Sequence, residues 1–143
     1  MPLPSTMRHI AIREPGPPDV LVPATGPVPA PKPGEVLIEV AYAGVNRPDC
    51  LQRSGAYPPP ADASPIVEGV TDWRVGDVVC ALTPGGGYAG YCTTPAGFCL
   101  PLPPGVSLHD AAGVPENYFT VWYNLFDRLH FDAGESMLIH GGT

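Results

Sequence analysis

Proline and glycine recur along this chain in short turn-forming clusters: Pro15-Gly16-Pro17-Pro18, Pro31-Lys32-Pro33-Gly34, Pro58-Pro59-Pro60, Gly85-Gly86-Gly87 and Pro103-Pro104-Gly105. Proline fixes its own φ and removes a donor, and glycine opens turn geometries closed to other residues, so each cluster cuts the chain. The pieces between them are short and apolar, which predicts many brief strands joined by tight turns. The 21 prolines and 17 glycines among 143 residues reach the level at which low complexity must be weighed, but they punctuate apolar runs instead of forming a tract. With 44% apolar residues the chain has material for a core, and its length suits one ordinary domain.

Met7 to Ile12 alternates as an edge strand, and Met1 to Thr6 is an extension of little structural weight. Beyond the Pro31 turn, Val36, Ile38, Val40 and Tyr42 share one face of the clearest strand, with Leu37, Glu39 and Ala41 on the other. Gly44 ends it, and Asn46 to Arg53 reads as a short helix capped by Asn46 or Arg47 with Pro48 in its first turn. The turn Arg74-Val75-Gly76-Asp77 feeds Val78 to Leu82, and Tyr88 to Thr94 and Phe98 to Leu102 read as further strands. Ser107 with Asp110 is a capping-box variant ahead of a short helix. Pro115 and Glu116 open a longer one, in which Tyr118, Val121, Trp122, Leu125 and Leu129 recur at helical spacing and are expected to face a core. After the turn at Asp132 to Glu135, the run Ser136 to His140 enters Gly141-Gly142 as a buried parallel strand enters a phosphate-binding turn.

Several partners are disfavoured. Seven basic residues against 14 acidic ones give a net charge of −7, and no basic run is present to neutralise a phosphate backbone, so nucleic acid is not expected. No apolar run approaches the length of a signal peptide core or a membrane span, which makes a cytoplasmic protein the simplest reading. Cys50, Cys80, Cys92 and Cys99 include no Cys-x-x-Cys pair and are read as reduced thiols. His9, His109, His130 and His140 lack paired ligand spacing, so no metal site is expected.

The motifs stand in a fixed order: Gly44-Val45-Asn46-Arg47-Pro48-Asp49, Arg53-Ser54-Gly55-Ala56-Tyr57-Pro58, Val75-Gly76-Asp77-Val78-Val79, and Gly85-Gly86-Gly87-Tyr88-Ala89. Leu102-Pro103-Pro104-Gly105, Ala111-Ala112, Phe119-Thr120-Val121-Trp122 and Gly134 to Gly142 follow. Together they make a chain that resembles the zinc-free NAD(P)H:quinone oxidoreductase branch of the medium-chain dehydrogenase superfamily. The likeness runs from Met7 to Thr143. It implies a mainly β fold with short helices: an incomplete GroES-like β-barrel domain over residues 1–130, and the first strand of a Rossmann domain over 131–143. It also implies hydride transfer from NADPH to a quinone, enone or related electron-poor carbonyl acceptor. The zinc-dependent relatives place a cysteine where Asn46 stands and add a four-cysteine lobe, and this chain has neither feature.

Residue by residue, the resemblance puts Asn46 in the active site, where an amide holds nicotinamide or acceptor, beside the plain reading of a helix cap. It puts Tyr57 in the acceptor pocket as an aromatic face and O–H donor, beside the reading of a ring packed on prolines. Thr120 and Tyr123 would reach the nicotinamide ribose region, with core packing as the rival. Tyr118, Phe119, Trp122 and Phe126 are read as core. Gly141 and Gly142 match the start of a pyrophosphate turn.

Two departures follow from the same likeness. Relatives carry another strand between Pro65-Ile66 and Val67-Glu68, which are joined directly here, and they continue far beyond Thr143. The expectation is therefore a chain that is inactive by itself and exposes the run Met137 to Ile139, or else a non-catalytic GroES-like module that binds a ligand or self-associates as a homo-oligomer, or a non-functional fragment.

Overall fold

The computed structural model of the chain describes residues 2–57 and 72–140. The alternating run Thr6–Ile12 forms β1, and a single 3-10 turn at Pro18–Val20 returns the chain into β2 (Leu21–Pro27). The two pair antiparallel throughout, from Thr6 against Pro27 to Ile12 against Leu21. The Pro15 cluster supplies the turn before β2, whose own Pro23 and Pro27 disguise its strand character. Among the described residues it pairs with β1 alone, and at such a sheet edge a missing N–H forfeits no ladder bond.

The next strand, β3 (Glu35–Glu39), leaves the Pro31 turn with the Gly34 φ at 81°, a value that favours glycine. After α1 (Arg47–Arg53) and β4 (Val79–Ala81), β5 (Tyr91–Pro95) pairs antiparallel with β3, and β6 (Cys99–Pro101) pairs with β4. Both members of the central ladder are shorter than the alternation predicts. Its β3 side ends at Glu39, with one more bond from Val40 N–H to the Gly90 carbonyl, and its β5 side starts at Tyr91. Tyr88 and Ala89 turn instead toward β1, through a bridge between His9 and Ala89 and a 2.9 Å bond from Ile10 N–H to the Tyr88 carbonyl. The described residues thus make three two-stranded ladders, without a closed barrel among them, as expected of an incomplete barrel domain.

The helical segment follows: α2 (Leu108–Ala111), capped by Ser107 Oγ accepting the Asp110 N–H, then α3 (Val114–Trp122), which runs into a π-helical stretch at Tyr123–Arg128. The apolar stripe of α3 does not enter a core. Tyr118, Trp122 and Leu129 are 67%, 61% and 65% exposed, because α3 meets the rest of the described chain chiefly through its first turn. Spacing identifies an apolar face and does not supply the element that covers it. Residues 136–139 likewise join no ladder, and Leu138 and Ile139 stand open to solvent.

The buried apolar side chains among the described residues are Val20, Cys80, Cys92, Cys99 and Ala111. All are small, and three of them gather at the junction of β4, β5 and β6, where fully buried Thr94 donates its hydroxyl to the Leu82 carbonyl at 3.0 Å. The four cysteines are free thiols, Cys50 exposed and the other three buried. The join between Ile66 and Val67 lies outside the described residues.

Candidate functional site

The chain between β3 and α1 is fixed by a close approach. A Cβ on Gly44 would lie 2.7 Å from the backbone oxygen of Ala112, so only glycine lets this loop pass the α2–α3 junction without a shift. The Gly44 carbonyl accepts the Tyr88 hydroxyl at 3.1 Å. Two residues on, Asn46 is extended at φ −124° and ψ 166° and serves as N-cap of α1. The Asp49 carboxylate accepts the Asn46 backbone N–H at 2.7 Å, one half of a capping box. The Asn46 side chain accepts the Asp49 backbone N–H in return, so the cap reading of Asn46 holds for backbone and side chain alike.

That side chain lines a cavity of about 1230 Å³, walled by β3, β4 and the loops around Gly44 and Gly85, with α1 and the start of α3 at its rim. The volume exceeds the roughly 300–1,000 Å³ of ordinary small-molecule pockets, so it accommodates an aromatic ligand with room beside it. Tyr57 lines the same cavity, half-exposed, so Asn46 and Tyr57 both border it although 11 positions and a helix separate them. The prolines that would pack on Tyr57 lie outside the described residues.

Thr120 and Tyr123 are placed differently. Thr120 is exposed and its hydroxyl donates to the Glu116 carbonyl at 2.8 Å; Tyr123 is exposed on the π-helical stretch; neither lines the cavity. From α3 the cavity receives Pro115 and Glu116, since only the first turn meets it. Gly141 and Gly142 lie outside the described residues.

Other residues at this wall carry chemistry that spacing did not reveal. Tyr88 closes the Gly44 loop from the β5 side, and burial, followed by its contact with the Asp49 carboxylate, holds its phenol far above the ordinary range. Cys80 and Cys92 face the cavity as thiols whose pKa burial raises. Asn117 donates to the Asn46 side-chain oxygen at 3.4 Å and to the Gly113 carbonyl at 2.9 Å. Asp49, at the third helical position after Asn46, stands at a capping-box spacing that the sequence reading did not use; Asn117, 71 positions away, gave no local signal.

A reduced nicotinamide dinucleotide has two ends, and the described residues fit one of them. The Asn46 amide in an open cavity suits a carboxamide or carbonyl group. No glycine-rich turn leading into a helix N-terminus, the feature that holds a pyrophosphate, stands at the cavity among the described residues. No three metal-ligating side chains come together among them either. No helix among them is long and apolar enough to cross a membrane.

The alcohol dehydrogenase GroES-like domain model matches residues 32–104, slightly more than half of the chain. The chain is 36% identical over 151 residues to a quinone oxidoreductase of Rattus norvegicus, a match spanning 96% of this chain and 46% of that protein. Among solved structures, a quinone oxidoreductase of Pseudomonas syringae superposes with a TM-score of 0.75 at 28% identity, over 88% of this chain and 42% of the other. A mycobacterial protein solved in complex with NADPH superposes with a TM-score of 0.70 at 33% identity, over 83% of this chain and 39% of the other. The chain spans less than half the length of each.

Proposed function

The chain belongs to the alcohol dehydrogenase GroES-like domain family, and from that premise we propose that it forms the acceptor-side wall of an NADPH-dependent quinone oxidoreductase. The observation that carries this reading is the convergence of Asn46 and Tyr57 on one cavity within a chain 36% identical to a quinone oxidoreductase. NADPH, when bound, supplies the hydride. The residues of this chain orient and polarise the acceptor. The Asn46 amide donates a hydrogen bond to a carbonyl oxygen, and Tyr57 offers an aromatic face and an O–H donor to a planar ring. The apolar side chains of β3 and β4 that line the cavity offer the ring a surface to pack against. Both donors favour an oxygen that gains negative charge, so they stabilise the reduced acceptor more than the oxidised one.

The acceptor class is a quinone or an electron-poor enone, the ligands whose oxygens match two hydrogen-bond donors. Thr120 and Tyr123, exposed on the far part of α3 and its extension, are the positions at which a ribose would arrive, and Gly141 and Gly142 those for a pyrophosphate. Four free thiols suit a reducing compartment, and the cytoplasm is the one we propose.

The test follows NADPH oxidation at the nicotinamide absorbance with a fully substituted quinone. It compares the 143-residue chain with a chimera in which this chain replaces the matching part of the rat relative. The chimera is expected to turn over and the chain alone is not; Asn46→Ala should lower kcat/KM of the chimera at least about tenfold, the effect of one transition-state hydrogen bond. A folded chimera that binds NADPH but reduces no quinone or enone would sink the reading and leave a non-catalytic module.

A further inference from the structure

The Asn46 amide has two ends, and which end faces the cavity decides what the site recognises. Its oxygen is turned to the protein, where it accepts the Asp49 backbone N–H in the capping box and the Asn117 side-chain N–H meets it at 3.4 Å. Its nitrogen has no acceptor among the described residues, and it lies beside Gly44, whose own carbonyl is taken by the Tyr88 hydroxyl. Asn117 is itself oriented, because its NH₂ group also donates to the Gly113 carbonyl one turn back on α3, at 2.9 Å. Both hydrogens of that NH₂ are then directed, one along α3 and one across to the loop before α1. An acceptor is the only group Asn117 tolerates opposite it, so the oxygen of Asn46 turns inward and its NH₂ is left for the cavity.

We propose that Asn117 is a positioning residue that locks the Asn46 amide with its NH₂ toward the cavity, making the site selective for a ligand oxygen over a ligand N–H donor. The role in recognition rests on the proposed acceptor site; the orientation of the amide does not. Without Asn117 the amide keeps only the capping-box bond from the Asp49 backbone N–H, so it is held at one point instead of two and a carbonyl ligand would have to complete its ordering on binding.

The test uses the ¹⁵N-labelled 143-residue chain, with the Asn46 side-chain resonances assigned from an Asn46→Ala variant. Asn117 is exposed, so its replacement leaves the fold intact. Asn117→Ser is the informative variant. A serine hydroxyl still reaches the carbonyl four residues back but is too short to reach Asn46. The Asn46 NH₂ is expected to be as ordered as the backbone in the parent chain. In the serine variant its order parameter should fall below about 0.6, with the backbone amides of α3 unchanged. A fully substituted quinone, which does not alkylate thiols, should shift the Asn46 NH₂ signals of the parent and bind the serine variant about 3- to 10-fold more weakly, the range of one neutral hydrogen bond. Asn117→Gln, which restores a donor, should recover part of that loss. An Asn46 NH₂ equally ordered in parent and serine variant, or a loosened NH₂ with unchanged quinone affinity, would overturn the proposal. A parent chain with an ordered NH₂ that tightens no quinone signal at any concentration instead counts against the acceptor site, while the order parameters still decide the role of Asn117.

Discussion

The Asp49 carboxylate accepts the backbone N–H of Asn46 at 2.7 Å, and this bond ties the start of α1 to the loop that crosses beneath α3. A capping group of this kind contributes about 1 kcal/mol, so Asp49→Ala is expected to lower stability by that amount in urea unfolding. Asp49→Asn, which keeps an acceptor oxygen, should lose less. Equal losses from both variants would show that the charge at the helix start, and not the acceptor, is what matters.

Gly44→Ala places a methyl group 2.7 Å from the Ala112 carbonyl, backbone against backbone. Neither segment is a flexible side-chain tip, so the loop must move and carry Asn46 with it. The expected cost is about 1–3 kcal/mol of stability, together with altered Asn46 amide resonances. An unshifted Asn46 signal would mean that the loop and α3 are not tightly opposed.

Tyr88 donates to the Gly44 carbonyl at 3.1 Å, and burial together with the Asp49 carboxylate raises its pKa. The folded chain therefore keeps a proton that the unfolded chain releases above about pH 10, and stability should fall as pH rises through that region. Following phenolate absorbance, Tyr88→Phe should remove none of the tyrosine titration seen near pH 10 in the native protein. The same variant should cost about 1 kcal/mol at neutral pH through the lost hydrogen bond.

Burial lifts the Cys99 thiol to about 11, with Cys92 and Cys80 beside it adding to the effect. Buried protonated thiols are poor nucleophiles, so Cys50 is expected to react first with iodoacetamide at pH 8 and the other three only on unfolding. Stability should decline as pH rises past the ordinary thiol value near 9. Peptide mass mapping of alkylated sites checks the order; equal labelling of Cys50 and Cys92 in the native protein would show an open β4–β5–β6 junction.

Local rules were enough for features whose cause is local. The Pro31 turn, the Asn46 cap of α1, the Ser107 cap of α2 and the proline start of α3 follow from residues within one turn of each other, and the structure contains each of them. The motif order also carried the family. Strand lengths were less legible, because a ladder ends where its partner leaves: Val40 to Tyr42 alternate as well as Val36 to Ile38 but have no strand beside them past Glu39.

The sequence by itself determined the turn-punctuated β character of this protein and its helix starts, since propensity and capping act between near neighbours, while its resemblance to a known family marked Asn46 and Tyr57 as candidates. Tertiary structure alone decided that Asn46 and Tyr57 share a cavity, that Tyr88 holds the Gly44 carbonyl while Asn117 meets the Asn46 amide, and that the aromatic stripe of α3 faces solvent. The reason is that these outcomes depend on which distant segment occupies the space opposite, as when Asn117 meets Asn46 across 71 positions, and no periodicity along the chain encodes that neighbour.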